Sequence, residues 1–241
     1  MIERKLTNTK EVSFLNQLEA LSKVSKVITS DLYLEDILRL IVTVTAQVMN
    51  SRICSLMLLD EEKRELRISA TQSISEEYIK KPNLKVGEGI AGKVAKEKRP
   101  ITVADVTKEK EYKYRSIAEK EELHSLLSVP LMVKGKVIGV LNSYTSFPHR
   151  FTKNEMDVLT TVANQAAIAI ENTRLLVESK IIKEELEARK VVEKAKGILM
   201  KEEDLTEEEA YNRIRKYSMD NRKSMREVSE AIILSEDLRK S

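Results

Sequence analysis

The apolar positions change period twice along the chain. Residues 10–29 place Phe14, Leu15, Leu18, Leu21, Val24 and Ile28 at helical spacing. Residues 34–50 do the same with Leu34, Ile37, Leu38, Ile41, Val44 and Val48. From Ile53 the pattern gives way to short apolar runs, predicting strands at 53–59, 65–70, 101–103, 126–133 and 137–144. Asp60 to Arg64 and Lys134-Gly135-Lys136 read as the turns of two hairpins. All four prolines, and five of the six glycines, fall between Pro82 and Pro148. Two hairpins between helical flanks predict an α+β class, an antiparallel sheet flanked by helices.

Beyond Pro148 the helical period returns and no proline follows. Three Ser/Thr-x-x-Glu capping boxes divide this tract: Thr152 with Glu155, Thr206 with Glu209, and Ser224 with Glu227. They predict a long connecting helix over about 153–200, then two short helices ending near Met219 and Leu238. In the long helix Ile168, Leu175 and Ile182 recur every seven residues, followed by Leu186. Asn172 and Ser179 interrupt that seam, which reads as a marginal coiled coil, or equally as a face packed on the 10–29 helix.

Composition narrows the chemistry. No run approaches the roughly 18 apolar residues of a membrane span, and the N-terminus lacks the apolar core of a signal peptide. Together these suggest a cytoplasmic protein. One cysteine, Cys54, leaves no internal disulfide or multi-cysteine metal site, and its apolar neighbours make it a buried core thiol. His124 and His149 have no ligand-spaced partner, so no metal, cofactor or catalytic constellation is expected, and the protein reads as a non-enzyme. Gly87-x-Gly89-x-x-Gly92 matches a dinucleotide fingerprint literally. It lacks a strong preceding strand, and Pro100 ends the following helix too early, so it reads as a positive-φ loop before a short helix.

With 42 basic and 39 acidic residues, net charge does not discriminate between partners, but charge distribution does. Within 213–226, Arg213, Arg215, Lys216, Arg222, Lys223 and Arg226 face only Asp220, while acids cluster at Glu202 to Glu209. Ala210, Ile214 and Tyr217 share one helix face, suited to a small core. Tyr211, Arg215, Ser218 and Met219 share a neighbouring one that Arg222 continues. An aromatic among guanidinium groups suits unstacked bases and phosphates of a single-stranded loop. Gly197 is the one glycine after Pro148. It costs a helix about 1 kcal/mol against alanine, so a close approach by another helix or a ligand is expected there.

Two resemblances give these segments names. Val86 to Ala95, Ile101 to Val106, Ser128 to Leu131, Gly139 to Asn142, Phe151 to Glu155 and Gln165 to Asn172 resemble a GAF domain over residues 10–175. Such domains have a six-stranded antiparallel sheet, bind small molecules in some members, and dimerise through flanking helices. Asn142-Ser143, Phe151 and Asn154-Glu155 lack the Lys and Asp of cyclic-nucleotide binders. Cys54 lies too early to attach a bilin, and one cysteine cannot serve methionine-sulfoxide reduction. An unassigned small-molecule ligand, or a dimerisation scaffold alone, is what the resemblance leaves.

Ala195 to Met200, Glu209 to Tyr211, Ile214-Arg215, Ser218 to Asp220 and Val228 to Ile233 resemble the ANTAR domain, here over 176–241. That family is a three-helix, RNA-binding, all-α module of bacterial transcription antiterminators. Ser218 and Ser229 stand where it commonly has alanine, and Ile214 where leucine is usual. The resemblance implies a homodimer, joined through the flanking and connecting helices, on paired hairpin loops in mRNA, reaching an RNA polymerase elongation complex indirectly. The RNA contacts expected are Lys194, Lys196, Gly197, Tyr211, Arg215, Ser218, Met219, Arg222 and Lys223. Two alternatives stand beside this. One is a DNA regulator with residues 224–238 as recognition helix. The other is a protein-interaction signalling module without nucleic acid.

Overall fold

In a computed structural model of the chain, residues 34–73 and 75–240 are described. The helix expected at 10–29 lies outside them. The chain divides into two compact units between Arg174 and Leu175, and each is treated by itself.

The first unit is an α+β layer structure. Helix α1 (Leu34–Met49) precedes β1 (Ile53–Asp60) and β2 (Glu65–Thr71). Then come α2 (Glu76–Ile79), β3 (Leu84–Lys85), α3 (Gly89–Glu97), β4 (Ile101–Val103) and α4 (Arg115–Lys120). Strands β5 (Leu126–Val133) and β6 (Lys136–Tyr144) complete a six-stranded antiparallel sheet ordered β3-β2-β1-β6-β5-β4. The five expected strands are present. The sixth, β3, is only two residues long and pairs Leu84 and Lys85 with Leu66 and Glu65, too short for any alternation to register in sequence.

Alternation along the strands sends side chains to two cores. On one face Cys54, Leu56, Leu127, Val129 and Leu141 pack against Ile37, Leu38 and Ile41 of α1 and Leu159, Ala163, Ala166 and Ala167 of the long helix. Burial pushes the Cys54 thiol up to about 12, as an inert core group requires. On the other face, Tyr78, Ile90, Val103, Val106, Tyr112 and Tyr144 form a cluster rich in tyrosine. The glycine loop is structural. Gly87 and Gly89 have φ of 93° and 61°, and a Cβ on Gly92 would lie 2.3 Å from the Lys85 carbonyl. Helix α3 ends at Glu97 with Lys98 left-handed at φ 57°, two residues before Pro100.

Helix α5 (Lys153–Glu203) runs 51 residues, and α6 (Glu207–Asn221) and α7 (Met225–Lys240) follow. All three boxes close. The Glu155, Glu209 and Glu227 carboxylates accept from the backbone N–H of Thr152, Thr206 and Ser224, whose hydroxyls accept in return. In the second unit Ala195, Leu199, Ala210, Ile214 and Val228 form the core, with Leu205, Met225, Ile232 and Ile233 around them. Ser229 is fully buried and its hydroxyl makes no hydrogen bond among the described residues.

Candidate nucleic-acid interface

Helix α6 is built to hold one face and show another. Ala210 and Ile214, four residues apart, are buried in the core. Tyr211 and Arg215, one position on, share the adjacent exposed face. Met219 extends that face at 68% exposure, whereas Ser218 is half-buried and its hydroxyl donates to the Lys223 carbonyl. The helix closes on Arg222, left-handed at φ 53°, and the Lys223 N–H reaches back to the Ser218 carbonyl at 3.0 Å. That turn fixes the backbone carrying Arg222 and Lys223, both exposed.

The basic residues of 213–226 divide by their partners. Arg213 pairs with Glu203, and Arg226 with Glu230 at 2.8 Å. Arg215, Lys216 and Arg222 have no ion pair among the described residues. An exposed α6 face with the uncommitted Arg215 and Arg222 beside Tyr211 remains, as stacking and phosphate contact require, while Lys216 points to another side of the helix.

Three expectations need correcting. Lys196 does not face solvent. Its side chain is 7% exposed and its ammonium is held by Glu207 at 2.8 Å and Glu193 at 2.9 Å. Glu207 first, then Glu193, raise its pKa, so it is a clamp between α5 and the first turn of α6. Gly197 does not serve a helix crossing, because a Cβ there would meet nothing within 4 Å. It leaves bare backbone beside exposed Lys194. Tyr217 does not join the core. It is 56% exposed and lines an apolar groove of about 350 Å³ with Ile214 of α6, Leu199 of α5, and Val228 and Ile232 of α7.

Helix α5 also leaves apolar side chains in solvent. Ile168, Leu175, Ile182 and Leu186, the heptad series, are 43 to 64% exposed, and Leu176, Val177 and Ile181 are exposed beside them.

Comparison with known proteins identifies both units. A family model described as the GAF domain matches residues 32–171. The chain belongs to the GAF family. An ANTAR domain follows at residues 181–233, so the chain combines GAF and ANTAR domains. The phosphoenolpyruvate-dependent phosphotransferase system protein of Escherichia coli is 27% identical over 66% of this chain and 21% of its own length. Transcriptional regulatory protein PdtaR of Mycobacterium tuberculosis is 40% identical over 63 residues, 26% of this chain and 31% of its own. The chain thus spans a fifth to a third of these curated relatives. The GAF domain of a Coxiella burnetii phosphoenolpyruvate-protein phosphotransferase superimposes with a TM-score of 0.61 at 28% identity, covering 68% of this chain and 98% of that one. No described helix is long and apolar enough to cross a membrane, and no cluster of metal-ligating side chains occurs among the described residues.

Proposed function

We propose that the protein is a transcription antitermination regulator of the bacterial cytoplasm. Its ANTAR domain binds paired stem-loops in nascent mRNA, under control of a signal at the GAF domain. The observation that carries this reading is the α6 face. Tyr211 offers a ring to an unstacked base, and Arg215, Arg222 and Lys223 offer cations to the loop backbone. Bare backbone at Gly197, beside Lys194, gives the RNA a second close approach. In this reading the protein binds and does not catalyse, and it touches the elongation complex only through the RNA.

Two domains working together suit paired hairpins. A homodimer joined along the exposed apolar series of α5 presents two ANTAR domains at high effective concentration, which amplifies a weak single contact. The charge pairing on α7 disfavours the DNA alternative. Arg226 and Arg239 of α7 are paired with Glu230 and Glu202, leaving a recognition helix without uncommitted guanidinium groups.

Gly197→Ala separates folding from recognition. The added methyl meets no atom of the protein, so the variant should raise helix stability by about 1 kcal/mol. Thermal unfolding reads that gain. A gel shift with a paired-hairpin RNA should read weaker binding in the same protein. Unchanged affinity would remove Gly197 from the contact surface.

A further inference from the structure

The groove beside Tyr217 lies apart from the α6 face that carries Tyr211. Tyr217 follows Tyr211 by six residues, which sets it roughly two-thirds of a turn away around the helix. The buried stripe of Ala210 and Ile214 runs between the two rings. One ring shares the exposed side of Arg215, and the other borders an open groove of about 350 Å³ against α7. The floor of that groove is aliphatic, made by Leu199, Ile214, Val228 and Ile232.

Its rim is polar, and several of the polar groups are open. Lys223 lines the groove at the turn between the two helices and makes no ion pair among the described residues. Glu227 accepts both bonds of its capping box, from the Ser224 N–H at 2.7 Å and hydroxyl at 2.8 Å, on Oε2. Its Oε1 and the hydroxyls of Tyr217 and Ser235 make no hydrogen bond among the described residues. Arg213 is already held by Glu203.

This combination selects among guests. A ring above an aliphatic floor suits a flat body with apolar faces. The open Glu227 oxygen repels a carboxylate but accepts from an amino group. A nucleobase has two apolar faces and an edge of mixed donors and acceptors. The phosphate it carries supplies the anion that Lys223 lacks. Ligand sites run from roughly 300 to 1,000 Å³, so this one sits at the small end, with room for a single base.

We propose that the groove between α6 and α7 receives one unstacked loop base, laid on the Tyr217 ring with an amino edge toward Glu227 and its phosphate at Lys223. This rests on the reading of the ANTAR domain as an RNA binder, and adds a second base site to the one at Tyr211. The two sites meet at the Arg222–Lys223 turn, so one loop wrapped around the end of α6 reaches both. A base stacked on an open ring is held with little regard to sequence, whereas a base in a groove is read along its edge. The groove is therefore the specificity-determining site. Glu227 favours amino-bearing bases over uracil, whose O4 stands where cytosine carries its amino group.

The test titrates the full chain, as wild type, Tyr217→Ala and Tyr217→Phe, against paired-hairpin RNA with each loop position made abasic in turn. Tyr217 is exposed, so thermal unfolding should find both variants folded as wild type. At one loop position the abasic change should weaken wild-type binding roughly 5- to 150-fold, the worth of one stacked base. Tyr217→Ala should already show that loss on intact RNA and lose nothing more at that position. Tyr217→Phe keeps the ring and should bind close to wild type. Uridine at the same position should weaken wild-type binding, and Glu227→Gln, which preserves the capping box, should narrow that penalty. Wild-type affinity in Tyr217→Ala, or the same factor lost on every abasic loop as on intact RNA, would overturn the groove site and leave the RNA reading standing. Unchanged affinity with a lower mass by light scattering would overturn it too, giving the groove to a second copy of the chain. A wild-type protein that does not distinguish intact from scrambled loops would remove the RNA reading itself, and this site with it.

Discussion

Leu175→Glu combined with Ile182→Glu should convert the protein to a monomer and lower its affinity for paired-hairpin RNA about a hundredfold, the scale of avidity from linking two modules. Both side chains are more than half exposed on α5, so within one chain they have little packing to lose. Helix content should stay constant by circular dichroism while light scattering reads half the mass. Two carboxylates per chain facing their copies across an apolar seam repel and cannot be desolvated cheaply. Affinity for a single hairpin should not change, because the α6 face lies outside the seam. A variant that remains dimeric would place the subunit contact elsewhere. A monomer that still binds paired hairpins tightly would remove avidity from the mechanism.

The second large effect concerns the α6 face. Tyr211→Ala should weaken hairpin binding by about 1–3 kcal/mol, the worth of one base stacked on an aromatic ring. That is roughly 5- to 150-fold in affinity. Arg215→Ala should weaken it through lost phosphate attraction. The two differ in salt dependence. Removing the arginine should reduce the slope of log affinity against log salt by about 0.7, whereas removing the ring should leave the slope unchanged. Neither change touches Ala210 or Ile214, which hold the helix in its core, so both variants should fold as wild type. If α6 is only a solvated surface, both affinities stay at the wild-type value.

Local rules reach far in this chain, and their failures have identifiable causes. The three capping boxes are legible directly, because each bond joins residues three apart. So are the sheet's long strands, whose alternation survives in the sequence. Lys196 escapes local rules because Glu207, its nearest partner, is eleven residues on and meets it only after the chain turns between α5 and α6. Tyr217 keeps helical spacing with Ile214, but it lines an open groove between α6 and α7 instead of the core, a matter of tertiary packing. Gly197 has the composition of a crossing point without the crossing.

Loop-specific recognition of paired hairpins is tested most directly by one titration. Purified full-length protein is titrated at fixed salt against paired-hairpin RNA, the same RNA with scrambled loops, and duplex DNA of equal length. Tight binding to the paired hairpins alone, with both controls at least tenfold weaker, is the predicted result. Equal affinity for scrambled loops, or preference for the duplex, would contradict it.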